Sequence, residues 1–472
     1  MDRRHLLKMG SLAALGHLAQ PCVPLFAQQQ QTKADFELRI APVQVDLDQQ
    51  RSLSTIGYNG SAPGPLLRMK AGKPVTVDIF NDTDTPELVH WHGMTIPAEA
   101  DGTEEEQSPF VPPHGHRRVT FTPGPSGLRW YHSHAMAMDD LHKGGYTGQF
   151  GLVYVEDGND KGSYDQELFL TLRDWEPFFS GSMEDDDDDT HDAPMLEQPP
   201  KINNDPNGLE VVSVTYSIND KALGAGDPIR VKQGQKLLIH FCNASPIENR
   251  RVALAGHTMR VIGMDGNPVP RPTERSSVFL GAGERIDVEV TMNNPGVWIL
   301  GGTEKMVREG GLGCIVEYAG QKKQPTWIDP KKEPWDYSNF ALPQSTQPAP
   351  KNILDMHFEK LPRGMGKFNV WTINGKPYPH ENEYALQRGE RYRLIMRNWS
   401  DDAHPMHLHR HLWEVVEMNG KKMGGLMKDT VVVPYYGRAV VDFTADQPGL
   451  SLFHCHIQQH MDYGFKALFR TT

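Results

Sequence analysis

The stretch LLRMKAGKPVTVDIFND at residues 66–82 decides the fold, because its frame recurs twice further along the chain. The related stretches are PIRVKQGQKLLIHFCNA at 228–244 and YALQRGERYRLIMRNWS at 384–400. In each, a glycine precedes alternating apolar and polar residues that end at an asparagine nine positions later. Alternation with a period of two predicts a β-strand buried on one face. Repeats that return after a domain's length of chain indicate homologous domains.

A second frame closes each unit and reads PSGLRWYHSH at 125–134, PGVWILGGT at 295–303 and PGLSLFHCH at 448–456. Short alternating runs between Gly, Pro, Asp and Asn turns fill the chain, and few segments have helical periodicity. The sequence therefore predicts an all-β protein of three consecutive Greek-key β-sandwich or barrel domains. Their predicted limits are 28–160, 161–330 and 331–472.

The composition excludes some classes of protein. The chain has 472 residues, of which 23% are charged and 38% hydrophobic, an ordinary globular balance. A formal net charge of −12 without a basic stripe argues against nonspecific nucleic-acid binding. No apolar run approaches the roughly 20 residues of a membrane-spanning helix. We expect no nucleic-acid partner, no membrane span and a monomer.

Residues 1–27, MDRRHLLKMGSLAALGHLAQPCVPLFA, combine paired arginines with a mildly apolar stretch. This layout predicts a signal peptide read by the twin-arginine export machinery, and hence a periplasmic or secreted protein. The alternative is an ordinary amphipathic helix start. An oxidising compartment permits a disulfide between Cys242 and Cys314, which leaves Cys455 unpaired.

The repeat frame sorts the histidines. Two follow the asparagine of the first unit at offsets of nine and eleven, two follow that of the third unit at the same offsets, and the closing frames of the first and third units each add a pair. The eight are His90, His92, His132, His134, His407, His409, His454 and His456. The middle unit has no such pair, so we expect the first and third domains to share one site.

The spacing of these residues indicates copper. Alternate side chains of a strand face the same way, so each His-x-His pair points both imidazoles at one site. Eight neutral imidazoles suit about three copper ions. Cys455 must face the opposite side of its strand, where His404 and His460 complete the two-histidine, one-thiolate set of a blue copper centre.

The motifs HWHG, HSH, HPMHLH and HCHIQQH, in this order over the whole chain after residue 27, resemble the four signature motifs of the multicopper oxidases, specifically the three-domain laccase-like branch. The resemblance implies three cupredoxin-like domains and four copper ions. It implies type-1 copper at His404, Cys455 and His460, and type-2 copper at His90 and His407. It assigns the type-3 pair to the remaining histidines, His92, His132, His134, His409, His454 and His456.

The resemblance also implies the activity: four one-electron oxidations of phenols or aromatic amines, coupled to reduction of dioxygen to two waters. The reductant is a small aromatic molecule or a metal ion. One alternative is a periplasmic cuprous oxidase for copper tolerance. Another is a non-catalytic copper-binding protein of the cupredoxin family, which would be expected to lack cluster ligands.

Several residues carry further expectations. Asp101 stands where relatives have an acidic residue for proton delivery; the alternative is a turn aspartate before Gly102. Asp402 is expected to orient the reductant, or else belongs to a solvated loop. Phe465 stands where blue copper proteins often carry a weakly bound methionine, so we expect it to face the copper and the reduction potential to be high. Met461 follows the last type-1 histidine, where bacterial relatives often have glutamate.

Three other features are expected to lie outside the site. The acidic run Asp185–Asp189 is interpreted as a solvated loop, with a lure for Cu(I) or Fe(II) as the alternative. His114 and His116 form a further His-x-His outside the repeat frame. His257, in the middle unit, is expected to be structural.

Overall fold

The computed structural model describes residues 33–159, 162, 164–181, 196–197, 207–379 and 383–472. Within them, Ala34–Thr472 belong to one compact unit. The predicted signal peptide at 1–27 and the acidic run Asp185–Asp189 lie outside the described residues.

The first sandwich packs two four-stranded sheets against each other, in the orders β2-β1-β4-β6 and β3-β8-β7-β5. Its elements are β1 (Phe36–Asp46), β2 (Ser52–Tyr58), β3 (Leu67–Lys70), β4 (Val75–Asn81), β5 (Val89–His92), α1 (Ala98–Asp101), β6 (Gly115–Phe121), β7 (Gly127–Ser133), a 3₁₀ turn (Gly144–Tyr146) and β8 (Phe150–Glu156).

The second sandwich has sheets in the orders β12-β9-β14-β19-β16-β17 and β13-β21-β20-β15-β18, with a separate two-stranded sheet, β10-β11. Its elements are β9 (Gln166–Trp175), β10 (Phe178–Gly181), β11 (Leu209–Val212), β12 (Thr215–Ile218), β13 (Ile229–Val231), β14 (Lys236–Asn243), β15 (Arg250–Leu254), β16 (Met259–Met264), β17 (Asn267–Arg275), β18 (Val278–Leu280), β19 (Arg285–Thr291), β20 (Val297–Gly302), α2 (Lys305–Glu309) and β21 (Gly313–Tyr318).

The third sandwich follows a 3₁₀ turn (Tyr337–Asn339) and has sheets in the orders β23-β22-β25-β30-β27-β28 and β24-β32-β31-β26-β29. Its elements are β22 (Asn352–Leu361), β23 (Val370–Ile373), β24 (Glu383–Leu386), β25 (Arg391–Asn398), β26 (His404–Leu408), β27 (Trp413–Met418), β28 (Lys421–Lys428), β29 (Thr430–Val433), β30 (Arg438–Thr444), β31 (Gly449–Cys455), α3 (Gln458–Asp462) and β32 (Lys466–Thr471).

The all-β prediction is confirmed, and each sandwich draws its strands from one repeat of the sequence. The limits near 160 and 330 stay a prediction. Strands β4 and β25 bury every second residue, as the alternation requires. One continuous hydrophobic core runs from the second sandwich into the third and includes Tyr337 and Phe340 of the connecting segment.

The repeated glycine and asparagine have one structural role in all three sandwiches. The glycines at 72, 234 and 389 have φ of 71°, 87° and 83°, a region that favours glycine, and turn the chain into β4, β14 and β25. The asparagines that end these strands are fully buried. In the third sandwich, Asn398 Nδ2 donates to the carbonyl of Asp402 at 2.7 Å, and its Oδ1 accepts from Ser400 N at 2.9 Å. This turn delivers the chain to the strand that carries the histidine pair.

The disulfide between Cys242 and Cys314 that an oxidising compartment would allow is not present in the structure, where both thiols are free. Cys242 lies on β14 in one sheet of the second sandwich, and Cys314 lies on β21 in the other. Among the described helices, none is long and apolar enough to cross a bilayer.

Replacing Asn398 with alanine should destabilise the third sandwich. The change leaves the amide of Ser400 and the carbonyl of Asp402 without their partner, and each unsatisfied buried group costs about 1–3 kcal/mol. We expect a loss of this order in the free energy of unfolding, measured by denaturant titration. Alanine at the exposed Asn159 is the control; an equal loss there would contradict the role of Asn398.

Candidate metal centres

The eight paired histidines lie on, or directly after, four strands that meet between the first and third sandwiches. In the first, β5 pairs with β7 so that His90 lies opposite His132. In the third, β26 pairs with β31 so that His407 lies opposite His454. The second member of each pair lies two residues further along the chain. All eight are buried, with at most 8% of their surface exposed.

The two sandwiches bring these rings face to face. The rings of His92 and His407 stack with centroids 3.7 Å apart, and those of His90 and His409 stack at 3.9 Å. The sequence prediction that the first and third domains build one shared site therefore matches the observed placement.

Hydrogen bonds fix the orientation of most of these rings. His90 Nδ1 donates to the carbonyl of Asp101 at 3.0 Å, His407 Nδ1 to the carbonyl of Asp429 at 2.8 Å, and His454 Nδ1 to its neighbour's carbonyl at 2.8 Å. The nitrogen on the other side of each ring is thereby left as an acceptor. It faces the space that the eight rings enclose.

These inward nitrogens lack protein donors. Six of the eight rings have a buried nitrogen with no hydrogen-bond partner among the described residues: His90 Nε2, His92 Nδ1, His132 Nε2, His134 Nδ1, His407 Nε2 and both nitrogens of His456. His409 Nε2 lies 2.9 Å from His454 Nε2, so two lone pairs face each other. Buried acceptors without donors are costly, and a bound cation removes that cost.

Burial lowers the pKa of seven of these eight histidines, which favours their neutral form. Burial lowers the pKa of His407 to about 3, and burial together with the neighbouring histidines lowers the pKa of His92, His134 and His454 well below the usual value. Neutral imidazoles keep their lone pairs at neutral pH. Triplets of them place their nitrogens within 4.8 Å of one another: His90, His92 and His132; His90, His407 and His409; His134, His409 and His454.

The second centre lies on the opposite side of β31. Cys455 Sγ is 3.8 Å from His404 Nδ1 and 3.6 Å from His460 Nδ1, and all three side chains are buried. Burial raises the pKa of the Cys455 thiol and lowers the pKa of His404 to about 4. A soft metal that displaces the thiol proton fits this donor set, and two imidazoles with one thiolate favour copper.

Phe465 lies at this second centre and Met461 does not. The fully buried Phe465 ring meets the His404 ring edge-on, with centroids 4.7 Å apart. Met461 lines a cavity beside His132, His134, His454 and His456. The His460 ring stacks on Trp371 at 4.1 Å.

Asp101 is fully buried and connects two rings of the cluster. Its Oδ2 accepts from His409 Nδ1 at 2.8 Å and lies 3.2 Å from His90 Nδ1. Its other carboxylate oxygen has no partner among the described residues. A turn aspartate facing solvent is therefore not what the structure shows. Glu106 lies beside it, and burial, followed by the charge of Asp101, raises the pKa of Glu106 well above its usual value.

Asp402 lies near the cysteine centre, with 16% of its side chain exposed. Burial alone would raise its pKa, but the ammonium of Lys360, 3.1 Å away, lowers it well below the usual value. Lys360 also lies 3.4 Å from both Glu210 and Asp401.

Asp429 was missed by sequence reasoning, although the run MKDTVVVP places a charged pair directly before an apolar strand. Its Oδ1 accepts from His92 Nε2 at 3.0 Å, which leaves His92 Nδ1 facing the cluster. Its two oxygens also accept from Arg285 at 2.7 and 2.6 Å. An arginine of the second sandwich thus holds a histidine of the first through an aspartate of the third.

The histidines expected to lie outside the site do so. His114 is bonded to Asp84 at 2.8 Å and His116 to Asp78 at 3.0 Å, both near the surface. His257 is bonded to the hydroxyl of Tyr318 at 2.7 Å and has a structural role in the middle sandwich.

Comparison with known proteins places the chain in a family. Three models described as multicopper oxidase match residues 39–160, 166–308 and 345–472. A multicopper oxidase of Mycobacterium tuberculosis is 30% identical over 446 aligned residues, covering 90% of this chain and 84% of that protein. An iron transport multicopper oxidase of Gibberella zeae is 24% identical, covering 95% and 77%.

The solved structure of a laccase from Botrytis aclada has the same fold, with a TM-score of 0.72 at 20% identity, covering 92% of this chain and 87% of that one. The predicted cupredoxin-like architecture is confirmed. The chain belongs to the multicopper oxidase family, which consists of copper-dependent oxidoreductases that use dioxygen as the electron acceptor. The two donor sets described above fit that metal.

Replacing Asp429 with asparagine should destabilise the junction of the three sandwiches. The change removes the carboxylate that pairs with the buried Arg285 at 2.6 Å and leaves it only Asp265, 3.5 Å away; breaking a buried ion pair typically costs about 3–5 kcal/mol. We expect such a loss in the free energy of unfolding, with lower copper content by atomic absorption. Asparagine at Asp355, which pairs with Arg397 at the surface, is the control and should cost at most about 1 kcal/mol. Equal losses would contradict the anchoring role.

Proposed function

We propose that the protein is a laccase-like oxidase that couples four one-electron oxidations of phenols or aromatic amines to the reduction of dioxygen to two waters. We assign a type-1 copper to His404, Cys455 and His460, a type-2 copper to His90 and His407, and a type-3 pair to the remaining six cluster histidines, His92, His132, His134, His409, His454 and His456. Copper bound there would accept single electrons and deliver them to dioxygen.

The observation that carries this proposal is the tripeptide at the end of β31. Cys455 faces His404 and His460, while its covalent neighbours His454 and His456 face the eight-histidine cluster. Two donor sets of different chemistry are therefore joined through a few covalent bonds. A protein that only stored copper would not need this connection.

The remaining residues hold and shield these donors. Asp101 and Asp429 orient cluster rings through their outer nitrogens. Phe465 closes the cysteine centre to water without donating to a metal. We also propose that Asp101 delivers protons, because its free oxygen is buried within the cluster wall. For Asp402, orientation of the reductant stays a prediction.

Aromatic rings between the surface and His460 favour an aromatic reductant. Phe179 of β10 packs on Phe368 at 5.0 Å, and Phe368 stacks on Tyr463 at 4.6 Å. All three are partly exposed, and the buried Trp371, whose amide donates to the carbonyl of Tyr463 at 3.1 Å, stacks on His460. Flat apolar rings offer stacking partners for a phenol or an aniline.

The nearby carboxylates are less able to bind a cationic reductant, because the Lys360 ammonium already neutralises part of their charge. It lies within 3.4 Å of Asp401, Asp402 and Glu210. Cuprous ion remains the second candidate, since Met136 and Met138 expose 41% and 37% of their surface near α3. Thioethers are ligands that Cu(I) prefers.

Export is proposed from the paired arginines of residues 1–27, which would place the enzyme in the periplasm or outside the cell. A monomer is proposed as the functional unit.

The function is tested by oxygen uptake of the copper-loaded protein with a phenol, an aromatic diamine, Cu(I) and Fe(II). We expect turnover with the phenol and the diamine that is unchanged by added copper. Cys455→Ser should abolish the blue absorption and all uptake, whereas Cys314→Ser should keep both because Cys314 lies outside the donor sets. Uptake with Cu(I) alone would overturn the aromatic assignment in favour of the second candidate.

Phe465→Met should lower the reduction potential of the type-1 centre. A thioether near the metal stabilises Cu(II) relative to Cu(I), and phenylalanine cannot supply it. The potential is measured by redox titration of the blue absorption. Phe465→Leu is the matched control, since it changes shape without adding a donor. A potential that rises or stays constant in Phe465→Met would show that residue 465 does not face the copper.

A further inference from the structure

The first sandwich contains a buried polar pair at the positions that hold the copper cysteine and one of its histidines in the third. Glu87 lies three residues before His90, as His404 lies three before His407, and Ser133 replaces Cys455 in the closing frame. Ser133 Oγ donates to Glu87 Oε2 at 3.3 Å. Only 5% of Glu87 is exposed. A buried carboxyl group at such a position is costly without a function.

The pair adjoins a small cavity that reaches the cluster. The cavity holds about 20 Å³, enough for one water molecule, and is lined by His132, His134, His454 and His456. Ser133 and Gln149 line it as well, and the side chain of Gln149 is also hydrogen-bonded to Glu87. Glu87 is therefore one hydrogen bond away from two residues, Ser133 and Gln149, that line the cavity beside the cluster.

Met461 lines the same cavity and cannot carry a proton. A further carboxyl group, that of Asp462, accepts hydrogen bonds from Gln458 Nε2 and from the amides of Ala137 and Met138. These bonds bind Asp462 to the chain around α3, which suits a structural role. Glu87 has a hydroxyl beside it that can both accept and donate a proton.

We propose that Glu87 delivers protons to the dioxygen-reducing cluster through Ser133 and the cavity water. This inference rests on the proposed function. In each delivery the carboxyl O–H bond breaks, Ser133 Oγ takes that proton and passes its own to the water, and solvent returns a proton to the carboxylate. Four such protons and four electrons convert one dioxygen to two waters. Cys455 of the third sandwich would thus serve electron transfer, and the equivalent Ser133 of the first would serve proton transfer.

The surroundings of Glu87 keep its carboxyl group able to exchange protons near neutral pH. Burial raises the pKa of Glu87 to about 7, against hydrogen bonds from Gln149, Ser133 and the Leu88 amide and the charge of Lys143. Lys143 is exposed and paired with Asp140 at 3.1 Å. Tyr58 also faces the carboxyl group, and burial, followed by the charge of Glu87, raises the pKa of Tyr58 well above 10.0.

The test follows reoxidation of copper-loaded enzyme that has been fully reduced without oxygen and is then mixed with dioxygen, from about pH 5 to about pH 9. The wild-type rate should fall as the pH rises through about 7, where Glu87 loses its proton. Glu87→Gln should lower the rate about 10²-fold at low pH and remove this dependence. Glu87→Asp should keep the pH dependence at a reduced rate. The blue absorption and reduction potential should stay unchanged in both variants.

Asp462→Asn is the matched control, because it alters another buried carboxyl group near the cavity and should keep the wild-type pH dependence. Wild-type rates and pH dependence in Glu87→Gln would overturn the proposal. If Glu87→Gln binds no copper, the proposal is tested with Ser133→Ala, which removes the hydroxyl between Glu87 and the cavity and leaves Glu87 in place. A wild-type profile in Ser133→Ala would equally overturn it. Failure of the wild-type protein itself to reoxidise would refute the proposed function instead.

Discussion

The structure depends on the burial of eight imidazoles whose ring nitrogens converge on one another. Such an arrangement is unfavourable in a protein of low dielectric unless cations compensate it. His409 and His454 bring two acceptor nitrogens to 2.9 Å, a distance at which they repel without a positive charge between or beside them. Burial also prevents protonation from relieving this repulsion, because it lowers the pKa of the rings. Metal binding and folding are consequently coupled.

The surrounding protein keeps this strained arrangement in place with buried ions. Arg285, Asp429, Asp265, Lys428 and Glu284 form a network across the second and third sandwiches, with separations of 2.6 to 3.5 Å. Buried pairs of this kind add little net stability but are strongly unfavourable to break. The second sandwich, which has no histidine of the cluster, therefore has a clear role: it fixes the ring that its neighbour contributes.

The pseudo-symmetry of the first and third sandwiches divides the chemistry between them. Both place a His-x-His tripeptide at the end of the strand that closes the sandwich, and both place a side chain on the opposite face. In the third that side chain is Cys455 beside two histidines, and in the first it is Ser133 beside Glu87. The same backbone frame thereby carries soft metal ligands in the third sandwich and a hydroxyl and a carboxyl group in the first.

The amino-acid sequence alone determined the all-β fold, the three repeats and the two donor sets, because strand alternation decides which side chains share a face. Tertiary structure alone decided the partners: that Asp429 and Arg285 hold His92, that Cys242 and Cys314 stay apart, and that Glu87 is hydrogen-bonded to Ser133, which lines the cluster cavity. The residues in these contacts lie from 46 to 337 positions apart in the sequence. Local periodicity carries no information about them, since they depend on how the sandwiches pack.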